Sequence, residues 1–133
     1  MGIKIANRII GKGQPVLVVA EACDNHLGNM ATAKKMIKNA MLAGADCIKF
    51  QHHLPDEEML PNIPMSDNFR EPLYEFLRKY TLSIDQHKEL LNYCKDVGII
   101  YLCTPFSYKA ACELNEICVN SFKIGSGEMT DIT

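Results

Sequence analysis

Short apolar runs alternate along the chain with longer stretches in which apolar residues recur every three or four positions. That rhythm marks strands that feed helices and return to one sheet. Ile3 to Ile10 reads as a short strand, Gly11-Lys12-Gly13 as a turn and Pro15 as the start of the next element, which together suit a β-hairpin. Val16 to Ala22, VLVVAEA, has four consecutive Val or Leu residues with no polar alternation. Such a strand is buried on both faces, as in a parallel sheet covered by helices.

Asn29 is placed as the N-cap of a helix. Met30, Ala33, Met36, Ile37, Ala40 and Met41 form its apolar stripe, Lys34, Lys35 and Lys38 its wet side, and Gly44 its C-terminal stop. Cys47 to Gln51 is the second strand, so a right-handed βαβ unit is expected. His52 to Leu82 breaks the rhythm with Pro55, Pro61, Pro64 and Pro72. It reads as an inserted loop holding at most a short helix near Leu73 to Lys79. Ser83-Ile-Asp-Gln86 has the capping-box form and opens a helix over Ile84, Leu90, Leu91, Cys94 and Val97, closed by Gly98. Ile99 to Thr104 is a third strand. Ser107 caps a third helix running to about Glu116, and Val119 to Ile124 is a fourth strand.

The order is hairpin, then (βα)(βα)(βα)β. This is the α/β class, the N-terminal half of a (β/α)8 TIM-type barrel. A complete barrel takes eight units and ~250 residues, whereas the chain has 133 residues. It is expected to be one domain, residues 1–133, without the C-terminal half-barrel. Apolar strand edges left open in this way are prone to pair with another chain, so a homo-oligomer, a dimer, is expected.

A formal net charge of −2 excludes the basic surface of a nucleic-acid binder. No apolar run reaches the ~18–20 residues of a membrane span, and Met1 to Arg8 lacks a signal-peptide core, which makes the cytoplasm the expected compartment. The six cysteines contain no C-x-x-C pair and are expected to be reduced, mostly buried and not zinc ligands. No metal ligands are assigned.

Polar residues stand at every strand's carboxyl end, where β/α barrels bind ligands. Glu21 closes the first strand, Lys49 and Gln51 the second and Thr104 the third. Lys123 lies near the end of the fourth, with Ser126 and Glu128 just beyond. These groups are expected to share one pocket. Two lysines, two hydroxyls and the backbone of Gly125-Ser126-Gly127 suit an anionic ligand, and the two carboxylates suit hydroxyl orientation or proton transfer. A lysine within an apolar run is costly to bury without purpose, although a Lys49–Glu21 ion pair is an alternative. Thr104 before Pro105 also suits a plain turn, and Glu128 a solvated loop charge. Asn25 and His26 lie in the first βα loop, where loop capping and surface exposure compete with ligand contact. His52 and His53 are neighbours and point opposite ways on an extended chain, so they do not chelate together. His87 reads as a structural helix residue.

Taken together, Ala20 to Ile37, Ala43 to Gln51 (AGADCIKFQ), Leu73 to Ser83 (LYEFLRKYTLS), Gly98 to Ser107 (GIIYLCTPFS) and Phe122 to Asp131 (FKIGSGEMTD) resemble the N-terminal half of the sialic acid synthase (N-acetylneuraminate synthase) family. The resemblance implies condensation of phosphoenolpyruvate with an N-acetylated amino sugar, N-acetylmannosamine or its phosphate, to give a nine-carbon keto acid and phosphate. It implies that Lys49, Thr104, Lys123 and Ser126 hold phosphoenolpyruvate. Glu21, Gln51 and Glu128 would meet the sugar, with Glu21 handling protons, and Asn25 and His26 would shape the pocket. It further implies a divalent metal, manganese or magnesium, whose ligands come from later strands, and a C-terminal antifreeze-like domain; neither is in this chain, which is therefore expected to have little activity alone. Alternatives are a synthase for legionaminic or pseudaminic acid, a related keto-acid synthase, a Schiff-base aldolase using Lys123, and a self-associating half-barrel without catalysis.

Overall fold

The computed structural model describes residues 2–65 and 70–130. Met1, 66–69 and 131–133 lie outside the described residues, and with them the last residue of the Phe122 to Asp131 segment.

The chain opens with an antiparallel hairpin of β1 (Ile3–Ile5) and β2 (Arg8–Ile10), Ile3 pairing with Ile10. The reversal lies at Ala6-Asn7, inside the stretch expected to be a single strand, and Ala6 takes φ 50°. The glycines at 11 and 13 make a second, separate turn in which Gln14 N donates to Gly11 O.

A parallel sheet follows in the order β3 (Val19–Glu21), β4 (Cys47–His52), β5 (Ile100–Pro105). Between its strands run α1 (Met30–Leu42), the one-turn α2 (Pro55–Glu58), α3 (Leu73–Tyr80) and α4 (Ile84–Val97), and α5 (Tyr108–Glu116) follows β5. The α/β class with parallel strands is as expected.

Local signals fix the helix ends. Asn29 accepts from Thr32 N and opens α1, and Gly44 at φ 83° stands just past its end. Ser83 and Gln86 make the reciprocal capping box of α4, which Gly98 closes at φ 81°. Ser107 accepts from Ala110 N at the start of α5. Each cap satisfies amide groups that a helix end leaves without partners.

The core lies between the sheet and α1, α4 and α5. Ile37, Ile48, Phe50, Leu90, Tyr101, Cys103 and Leu114 are buried there, and Met30, Met36 and Met41 pack against them. The methionine stripe is thus packing, as its helical spacing suggests.

Two strand expectations need correction. Only three residues of Val16 to Ala22 form β3, and the strand is not buried on both faces: Val16 and Val18 are 81% and 52% exposed. β3 is an edge, whereas β4, between two neighbours, is buried along almost all its length. Val119 to Ile124 does not form a fourth strand. It makes a single parallel bridge, Phe122 to Cys103, supported by Lys123 N donating to Cys103 O. Among the described residues this segment is joined to β5 alone, through that one bridge.

Candidate functional site

The register of the sheet sorts its side chains into two layers. Glu21 pairs with Lys49, Lys49 with Leu102 and Gln51 with Thr104. Strand side chains alternate between faces. Glu21, Lys49, Gln51 and Thr104 therefore share the face opposite Ile48, Phe50, Tyr101 and Cys103, which pack on the helices.

On that polar face Lys49 Nζ lies 2.7 Å from Glu21 Oε1. The lysine is almost enclosed, its side chain 11% exposed, while Glu21 is half open to solvent at 55%. Thr104 is buried and Gln51 half-buried. Lys123 and Ser126 are exposed, and a 3-10 turn over Gly127–Thr130 follows. Glu128 folds back over Gly125: a Cβ there would stand 1.8 Å from its Oε2. That oxygen is buried and has no hydrogen-bond partner among the described residues.

The first βα loop is held from within. Asn25 Nδ2 donates to Ala22 O at 2.9 Å, and Gly28 N donates to His26 Nδ1 at 3.0 Å. His26 is buried, not on the surface, and burial lowers its pKa. Both residues cap and shape the loop.

A cleft of about 280 Å³ opens between this loop and α3, lined by Cys23, Asp24, Asn25, Leu27, Gln51, His53, Leu73, Phe76 and Leu77. Of the candidate residues, Asn25 and Gln51 line the cleft, and Cys23 joins it to the ion pair through a 3.8 Å contact with Glu21 Oε2. Lys123, Ser126 and Glu128 follow the bridge to β5, on the side of β5 away from β4.

His52 and His53 do point opposite ways. His52 Nε2 meets Glu113 Oε2 at 2.8 Å and packs edge-on against His87, whose Nδ1 lies 2.6 Å from the Tyr101 hydroxyl. Burial lowers the pKa of His52 and, strongly, of His87. His53 turns instead to Asp24 and Glu58.

The NeuB family profile matches residues 36–133. This chain belongs to the NeuB family. It is 34% identical over 122 residues to the N,N'-diacetyllegionaminic acid synthase of Campylobacter jejuni, covering 87% of this chain and 36% of that protein. It is 34% identical over 126 residues to the human N-acetylneuraminate-9-phosphate synthase, covering 91% of this chain and 35% of that one. The structure of the sialic acid synthetase of Leptospira borgpetersenii, solved in complex with citrate, superposes with a TM-score of 0.87 at 29% identity, over 99% of this chain and 44% of that one. The chain thus spans about a third of the length of its NeuB-family relatives, and its strands correspond to part of their barrel.

The divalent metal implied by the resemblance does not fit the residues of this NeuB-family chain. Among the described residues no three His, Cys, Asp or Glu side chains converge as a metal site. Burial pushes the thiols of Cys47, Cys94 and Cys103 up to about 11, about 12 and about 12. All six cysteines are free; Cys47, Cys94 and Cys103 are buried, Cys23 and Cys112 partly so, and Cys118 is exposed.

Sequence reasoning missed Asp24 and Glu58. The available signal was Pro55 at the first position of a helix, which turns Glu58 back toward His53.

Proposed function

We propose that this chain supplies phosphoenolpyruvate and amino-sugar contacts for a synthase that joins the two through a carbon–carbon bond. The observation that carries this reading is the cross-strand pair Glu21–Lys49 beside Gln51 and Thr104 on one polar face. Lys49 and Lys123 would supply positive charge to the carboxylate and phosphate of phosphoenolpyruvate. Thr104, Ser126 and the backbone of Gly125 and Gly127 add donors. Citrate, held by the Leptospira relative, is likewise a small polyanion.

In the proposed reaction the enol carbon attacks the open-chain aldehyde, forming the new bond, and the aldehyde oxygen takes up a proton. Water adds to the carbon that carried the enol oxygen, and phosphate leaves. Glu21 is placed to move protons between water and the sugar oxygen, held by Lys49. Gln51 and Glu128 orient sugar hydroxyls, and Asn25 and His26 fix the adjoining loop. The acceptor class is an N-acetylated amino sugar; the equal identity to a legionaminate and a neuraminate-phosphate synthase favours neither acceptor. The exposed edge of β3 supports self-association, and we assign the working state to a homodimer.

The test is calorimetric binding of phosphoenolpyruvate, followed by calorimetric binding of N-acetylmannosamine. Binding that is lost in Lys49→Met supports the reading. A chain that does not bind phosphoenolpyruvate overturns it.

A further inference from the structure

The densest group of buried charges lies outside the Glu21–Lys49 pair. His53 is 6% exposed. Its Nδ1 stands 3.0 Å from both Glu58 carboxylate oxygens, and its Nε2 3.3 Å from Asp24 Oδ2. The Asp24 contact is off the line of a hydrogen bond, so there the attraction is chiefly between charges. The side chains of Glu58 and Asp24 are themselves only 5% and 13% exposed.

A neutral imidazole has one N–H and answers one carboxylate. Here both ring nitrogens face carboxylates, so the arrangement calls for the imidazolium. Burial opposes that charge, but Asp24 and Glu58 outweigh it and hold His53 up to about 9.

The three groups tie together chain segments that leave different strands. Asp24 follows β3, while His53 and Glu58 follow β4. Phe106, which follows β5, stacks on the His53 ring with centroids 4.2 Å apart. Thr81, at the end of α3, donates its hydroxyl to His53 O at 3.1 Å. His26 Nε2 faces Asp24 Oδ1 from 3.8 Å, and His52 is turned away toward Glu113. Asp24 and His53 also line the cleft with Asn25 and Gln51.

We propose that Asp24, His53 and Glu58 form a charged clasp that positions the first βα loop, with Asn25 and Gln51, for the acceptor sugar. His53 is its positioning residue and touches no reacting atom. The proposal rests on the reading above for the identity of the ligand, and not for the clasp itself.

The clasp is tested by NMR titration of the chain and of His53→Phe, which keeps the stack on Phe106 and removes both nitrogens. In the wild type, amide resonances of residues 23–28 are expected to shift together as pH rises through about 9, and in His53→Phe that step is absent. Affinity for N-acetylmannosamine should fall on the order of tenfold in the variant, and in the wild type above the step, while phosphoenolpyruvate affinity is unchanged. A variant that keeps the step, or binds the sugar like wild type, overturns the clasp. If the wild type binds neither ligand, the proposed function fails while the loop step still reports on the clasp. Should His53→Phe not fold, the double variant Asp24→Asn, Glu58→Gln is used: with burial left unopposed, the ring's own titration should drop below about 6.5, and a ring still titrating near 9 overturns the proposal.

Discussion

Lys49 and Glu21 face each other across neighbouring strands, one nearly enclosed and the other half in water. A pair with one wet member adds little to stability. Lys49→Met retains the aliphatic stem and should change folding free energy by less than about 1 kcal/mol. Binding of phosphoenolpyruvate should be abolished. Thermal melting and calorimetry on the same sample separate the two effects.

The histidines predict how stability varies with pH. His53 is raised to about 9, so its contribution is complete below about 6.5, declines as pH climbs and is gone above about 9. His26, His52 and His87 are lowered, so the fold loses stability as pH falls below about 6.5 and they must take up protons. The optimum should therefore lie near pH 6.5. His53→Phe should flatten the alkaline side, a change on the order of 3 kcal/mol, while leaving the acid side. Urea denaturation at a series of pH values provides the check.

Phe50 lies at the centre of the packed layer, stacked on Tyr101 with centroids 5.7 Å apart and beside His26. Phe50→Ala should cost about 3–5 kcal/mol in chemical denaturation. Its amide dispersion should also show the Asp24–Gly28 loop loosening, since His26 loses a wall.

Gly125 gives way to the folded-back Glu128 carboxylate. Gly125→Ala should expel that carboxylate with a stability change below about 1 kcal/mol, because the displaced atoms end a flexible side chain. A crystal structure of the variant should show Glu128 turned to solvent.

The extended stretch leading into β3 exposes Val16 and Val18. Light scattering on a sizing column should give a dimer for the native chain. Val16→Lys with Val18→Lys should give a monomer, since charge on an edge opposes strand-to-strand pairing. A native monomer would remove the dimer from the proposed function.

The helices were legible because their signals are local. Asn29, Ser83 and Ser107 cap the helix that follows each of them, and Gly44 and Gly98 stand where two of the helices end. Strand extent was not, because a strand exists by its neighbours: Val16 and Val18 have the right residues and no partner on their outer side among the described residues. The polar rim was legible as a set, since Glu21, Lys49, Gln51 and Thr104 interrupt apolar runs at strand ends. The clasp was not, because Asp24 reaches His53 only once β3 and β4 have paired, and Glu58 only once α2 has turned.

Ladder register gives the sheet one further property. Sliding β4 by a single residue would exchange its two faces, sending Lys49 and Gln51 into the oily layer and Ile48 and Phe50 out to the ligand. The same hydrogen bonds that seat the core thus act as a ruler for the ligand groups, spacing them one strand apart, about 4.8 Å. A single-residue insertion or deletion within 47–52 would therefore exchange the two faces beyond it. The polar face can be altered by exchanging residues on the ruler, never by shifting the scale itself.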